Sequence, residues 1–184
     1  MSFLKPDHPL RIRDFRLLFA GKVIDNLGDA IVPAALALAV IQATGSATAL
    51  AMVLGATLVP RLVLLPLGGA VADRWHARRV ALAADVIRGL AQLVVGVEFL
   101  TGQMRLEHLM IAGAVTGAAS AFAIPTSSPL VAGTVRDDAA RHRANALLAV
   151  ANNATRLIGP ALAGVLILTL GAGWAFVLDA VSFG

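Results

Sequence analysis

Long apolar runs separated by short polar breaks organise this chain. A helix needs ~20 mostly apolar residues to cross a bilayer. Five runs meet that length, at roughly Arg16–Gln42, Ala47–Ala72, Val80–Leu100, Leu106–Val135 and Ala144–Leu170. A sixth opens at Trp174 and runs to Gly184. The breaks are Thr44-Gly45-Ser46, Asp73–Arg79, Thr101–Arg105, Arg136–Arg143 and Gly171-Ala172-Gly173. Links this short join successive antiparallel helices. The pattern therefore predicts an all-α membrane protein with five full transmembrane helices and the start of a sixth.

Two spans echo each other. Gly21 precedes Pro33 by twelve residues in the first span, and Gly113 precedes Pro125 by twelve in the fourth. With antiparallel succession these two spans run in opposite directions, as in a three-plus-three inverted repeat. In the fourth span Gly113, Gly117 and Ala121 form a small-residue stripe that permits close helix approach.

Composition agrees with a lipid environment. Hydrophobic residues make up 58% of the chain and charged residues 14%, too few to clothe a soluble core, for which ~25% is usual. The net charge of +4 does not point to nucleic acid, because the basic residues sit between apolar runs and form no basic face. The chain has no cysteine, which excludes disulfides and thiolate metal sites. No cofactor is indicated.

Lys and Arg near span ends set membrane orientation. Lys5, Arg11, Arg13, Arg16, Arg74, Arg78, Arg79, Arg136, Arg141 and Arg143 fall on one side of the predicted spans, and Arg105 alone falls on the other. The first group is expected to face the cytoplasm, which places the N-terminus there. A cleaved signal peptide is a poor fit to the first span, because Lys22, Asp25 and Asp29 interrupt its apolar stretch.

The remaining charges lie inside spans, where each costs at least ~2.5–3.5 kcal/mol near the bilayer centre. In the first span Lys22, Asp25, Asn26 and Asp29 occupy one helix face. That stripe is expected to face a cavity or a partner helix. One reading is an ion or proton site, since a buried carboxylate can take up a proton reversibly. The other is a Lys22–Asp25 ion pair with no part in transport. Arg61 sits mid-span in the second helix and Arg156 in the fifth. Asp85 and Arg88 are one turn apart in the third, and Asp179 enters the sixth. Four acids balance four bases, which favours internal pairing.

The cytoplasmic break between the second and third spans is Gly69-Ala70-Val71-Ala72-Asp73-Arg74-Trp75-His76-Ala77-Arg78-Arg79. Asp73 stands at a helix C-terminus, where the helix dipole disfavours an anion, so it calls for a cationic or N–H-rich partner. The segment resembles the loop signature of the major facilitator superfamily, G-x-x-x-D-R-x-G-R-[RK], through Gly69, Asp73, Arg74, Arg78 and Arg79, with His76 in place of the loop glycine. In the fifth span Gly159-Pro160-x-x-x-Gly164 is similar to the antiporter signature of exporting members. Phe122–Pro125, Ala144–Leu147 and Phe176–Phe183 also look like bacterial multidrug, macrolide and siderophore exporters.

The resemblance covers nearly the whole chain. It implies the N-terminal half of a twelve-span bundle and alternating access driven by a proton gradient. Moving one charge across ~100 mV is worth ~2.3 kcal/mol. Asp25, Asp29 or Asp85 would carry the proton. Arg61 and Arg156 would set the carboxylates' pKa or hold an anionic substrate, and Arg88, spaced to pair locally with Asp85, is a further candidate. The expected partners are the lipid bilayer, protons, a small-molecule substrate, and a missing C-terminal half or a second membrane chain. The loop motif and the Gly-Pro helix would meet that partner. A half-transporter subunit or a non-transporting scaffold is the alternative. An intramembrane enzyme is disfavoured: His8, His76, His108 and His142 are dispersed at loops and span ends, with neither an H-E-x-x-H nor a G-x-S-x-G motif.

Overall fold

The computed structural model describes residues 9–135 and 138–182; Lys5, His8, Arg136, Phe183 and Gly184 lie outside the described residues. The described elements are helical: α1 Arg13–Thr44, α2 Ala47–Arg74, α3 Ala77–Thr101, α4 Leu106–Ala123, a short α5 Ser127–Thr134, α6 Asp138–Leu170 and α7 Ala172–Ser182. Five stretches are long and apolar enough to cross a membrane, the fourth being Leu106–Thr126.

The breaks form where local chemistry stops a helix. Gly45 takes φ 62° after α1 and donates its N–H to Ile41 O, and the next residue, Ser46, caps α2 by accepting from Ala49 N at 3.2 Å. Gly102 and Gly171 take φ 68° and 89° in the corresponding turns after α3 and α6. The opposite end does without glycine. Trp75 and His76 bridge α2 and α3 in extended conformations (φ −112°, ψ 162° and φ −62°, ψ 113°). Neither needs the left-handed region, so His76 is sterically acceptable where the family signature has glycine.

The fourth apolar run is not one helix to Val135. It divides at Pro125 into α4, a 3-10 turn Ile124–Thr126, and α5. Proline has no N–H to give to Ala121 O four residues back, and its ring crowds that carbonyl. Gly68 of α2 seats itself there; a β-carbon at position 68 would overlap Ala121 O. At the other end of the same pair, Gly113 and Gly117 lie against Thr57, and a β-carbon at Gly117 would overlap the Thr57 carbonyl. Three glycines thus let α2 and α4 run in near backbone contact, as the small-residue stripe predicts.

The principal helix contacts pair α2 with α4, α1 with α6, α3 with α4, α1 with α7, and α3 with α7. Exchanging α1 with α4, α2 with α6 and α3 with α7 maps this set onto itself. That is the three-plus-three repeat expressed as packing. Two apolar clusters close the bundle. Toward the glycine turns, Leu36, Val40, Val53, Val95, Leu109 and Phe176 converge, with Phe99 stacked on Phe176 at 5.3 Å between ring centroids. Toward the arginine-rich end, Phe15, Val131, Val135, Ala140 and Ala144 form the second. Lys22, Asp25 and Asp29 of α1 fall between the residues that α1 gives to the two clusters. Much of the outer surface stays apolar, including Leu157 and Leu168, which are over 80% exposed, as suits contact with lipid tails.

Candidate functional site

The polar stripe of α1 is organised around an arginine that another helix supplies. Lys22 Nζ donates to Asp25 Oδ2 at 3.0 Å. Arg88 reaches across from α3, its side chain only 6% exposed. Its Nη2 donates to Asp29 Oδ1. Its Nη1 lies 3.5 Å from Asp25 Oδ1 and 3.8 Å from Asp85 Oδ1. A planar guanidinium presents several donors in fixed directions, so one side chain can face three carboxylates and tie α3 to two turns of α1. The pairing predicted from spacing, Asp85 with Arg88, is the longest of the three.

The two carboxylates of α1 differ in setting. The Asp25 side chain is 12% exposed, whereas that of Asp29 is 51% exposed and opens onto a cavity of about 580 Å³. Lys22, Asp25, Asn26 and Asp29 of α1 form one wall, and Asn152, Asn153 and Arg156 of α6 form another. Arg61 of α2 and Arg88 of α3 add charge, and Ser120 and Ser127 flank the break at Pro125. Arg61 and Arg156 line the cavity without an ion pair among the described residues. The cavity therefore offers both signs of charge together with neutral hydrogen-bonding groups.

A second cavity, of about 300 Å³, lies toward the glycine turns. Val32, Leu36, Val53, Leu58, Val95, Leu109 and Phe176 make it apolar, with Gln92 and Arg61 also in its lining. Arg61 borders both cavities. A polar compartment thus adjoins an apolar one, an arrangement that suits an amphipathic organic molecule.

Near Arg88 is a residue whose role the sequence leaves open. Asp179 of α7 is 2% exposed and, among the described residues, forms no ion pair, with Gln92 of α3 as its polar neighbour. It presses on α1 at Gly28, where a β-carbon would overlap Asp179 Oδ1. A glycine adjoining Asp29 was the available signal for this contact. Asn152, Asn153, Ser120 and Ser127 are likewise visible as site residues only in three dimensions.

The motif residues separate into inward and outward groups. Gly159 meets Ala30 of α1, and a β-carbon there would overlap it. Gly69 and Gly164 face open space, with nothing within 4 Å of such an atom, and Pro160 is exposed. Asp73, Arg74, Arg78 and Arg79 are all exposed at the arginine-rich end. Asp73 makes no ion pair with those arginines among the described residues. No group of three or more potential metal ligands occurs among the described residues.

Comparison with known proteins gives a consistent result. The profile of the family described as transmembrane secretion effector matches residues 5–184. The multidrug efflux pump Tap of Mycobacterium tuberculosis (strain ATCC 25618 / H37Rv) is 27% identical over 176 residues, covering 92% of this chain and 41% of the pump. The uncharacterized MFS-type transporter YfiS of Bacillus subtilis (strain 168) is 25% identical over 167 residues, 90% of this chain and 39% of its own length. The methylenomycin A resistance protein of the same strain is 32% identical over 111 residues, 60% of this chain and 22% of its own. The chain thus spans about two fifths of the length of the first two relatives. No solved structure matches it.

Proposed function

The chain belongs to the transmembrane secretion effector family of the major facilitator superfamily, and on that premise we propose that it forms the N-terminal half of a proton-coupled exporter of small organic molecules, working by alternating access. It is a multi-pass membrane protein of a transporter family and not an enzyme. The observation that carries the reading is the polar cavity, where a three-carboxylate, one-arginine cluster opens through Asp29 beside an apolar cavity that shares Arg61. Charge that is paired but partly accessible can exchange partners, which coupling requires. Asp25 and Asp29, which line the cavity, and Asp85, which faces the same arginine, are the carboxylates that exchange protons. Arg61 and Arg156, free of ion pairs there, bind an anionic or hydrogen-bonding part of the substrate.

The open faces at Gly69 and Gly164 support docking of further helices, from the same polypeptide or from a second chain, since small residues let backbones approach closely in lipid. Asp73, Arg74, Arg78 and Arg79 would meet that partner at the cytoplasmic surface. Placing the arginine-rich end in the cytoplasm rests on the distribution of basic residues. The multidrug pump among the relatives favours organic export over ion transport.

The test is dye uptake into inverted membrane vesicles holding the native gene product. An imposed proton gradient is expected to drive accumulation, and Asp29→Asn to reduce it at least tenfold. Accumulation indifferent to collapse of the gradient overturns the proton-coupled reading.

A further inference from the structure

Asp179 is the most enclosed acid of the bundle's charged cluster and stands apart from the cavity that the proposed mechanism uses. Its surroundings are specific. From α1 come Gly28, which it touches, and the carboxylates of Asp25 and Asp29. From α3 come the Arg88 guanidinium and Gln92. From its own helix, the Ser182 hydroxyl is turned away to donate to the Asp179 backbone oxygen at 2.6 Å. Arg88 therefore has a fourth carboxylate in its neighbourhood. Asp25, Asp29 and Asp85 pair with it, and Asp179 lies near it with Gln92 as its polar neighbour and no ion pair among the described residues.

Keeping a carboxylate charged in such a place is costly. An ionised group removed from water without a hydrogen bond or close counter-charge costs many kcal/mol, and the usual escape is to bind a proton. Arg88 already faces Asp25, Asp29 and Asp85, so the neutral acid is the form this arrangement accommodates. If Arg88 turned toward α7, the ionised form of Asp179 would gain a partner and Asp29 would lose one.

We propose that Asp179 is a proton-carrying residue of the transporter, exchanging the proton it holds for the guanidinium of Arg88 while Asp29 is released to the cavity. The step balances. The Asp179 O–H bond breaks and the proton passes to cavity water. The Arg88–Asp29 pair is replaced by an Arg88–Asp179 pair, and Asp29 is left as a free carboxylate able to receive a cationic group or the next proton. The close fit of Gly28 against Asp179 keeps the acid within reach of that exchange. This inference rests on the proton-coupled reading above and names a residue that reading does not use.

The experiment is proton release from the purified native gene product, followed with a pH-indicating dye on addition of a transported dye. Native protein is expected to release protons, and Asp179→Asn to lose most of that release while keeping the native melting temperature. Native protein that releases none overturns the proton-coupled reading itself. Native release with unchanged release from Asp179→Asn overturns the role of Asp179 alone. A second measurement serves if that variant does not fold. Dicyclohexylcarbodiimide adds to protonated carboxyls in apolar surroundings, and peptide mass mapping locates the adduct. Labelling of Asp179 in native protein at neutral pH, suppressed by substrate, supports the proposal. An unlabelled Asp179 overturns it.

Discussion

Replacing Arg88 with Gln removes the charge that faces Asp25, Asp29 and Asp85. Breaking a buried ion pair by deleting one partner costs ~3–5 kcal/mol, because the other charge is left uncompensated. That range needs discounting here. The Asp29 and Asp85 side chains are 51% and 28% exposed, so solvent screens part of their loss. Asp25, at 12%, bears most of it. Lys22 remains 3.0 Å from the other oxygen of Asp25 and offsets a share. The expected loss is therefore about 2–4 kcal/mol, or roughly thirty- to a thousandfold in the folding equilibrium. Detergent-titration unfolding followed by circular dichroism measures it. Asp25→Asn in the Arg88→Gln background should recover part of the loss, with a coupling energy of about 1–3 kcal/mol. Arg88→Lys should fall between, since an ammonium cannot face three carboxylates at once. A single Arg88→Gln substitution within about 0.5 kcal/mol of native, with the double variant additive, would refute the bridging role.

Further outcomes follow from the packing and the proposed orientation. Gly117→Ala forces a β-carbon into the Thr57 carbonyl and should cost about 1–3 kcal/mol, whereas Gly164→Ala, which meets nothing within 4 Å, should leave the melting temperature of this bundle unchanged; equal effects would contradict the helix contacts described. Pro125→Ala restores an N–H for Ala121 O and should join α4 to α5, turning Ser127 away from the cavity; substrate KM should rise while thermal stability holds, and an unchanged KM would remove the break from the binding site. The chain lacks cysteine, so single substitutions report orientation cleanly. His76→Cys should react with an impermeant maleimide only in inverted vesicles, Gln103→Cys only in intact cells, and the reverse pattern would overturn the proposed topology.

Much of the fold is written in local signals. Gly45, Ser46, Gly102 and Gly171 lie in the predicted breaks and perform the turns there. The polar face of α1 follows from helical spacing alone. Pro125 was equally visible, yet the apolar run continues past it to Val135, and hydrophobicity does not register a missing backbone donor. Arg88 shows why sites are harder to read. Its neighbour in sequence, Asp85, is a plausible partner by spacing, but the α1 carboxylates lie closer once the helices pack. Asp179 is a lone acid at the start of a span until Gly28 is seen to make room for it. Helix identity depends on neighbours along the chain, whereas the charge cluster depends on which helices cross, and that is decided by small residues scattered over distant spans.

Among the described residues, the three left-handed glycine turns all lie at the end away from the cluster of arginines. Those turns are also the segments that must be carried across the bilayer during synthesis, if the arginines stay behind. Between α1 and α2, and between α6 and α7, the translocated cargo is a residue or two without charge, and between α3 and α4 it is a short stretch whose only net burden is Arg105. Helices joined in this way can enter the membrane as ready-made hairpins, two at a time, with almost nothing polar in the connecting turn to drag through. The same tight turns that fix the finished bundle thus keep the work of its insertion small.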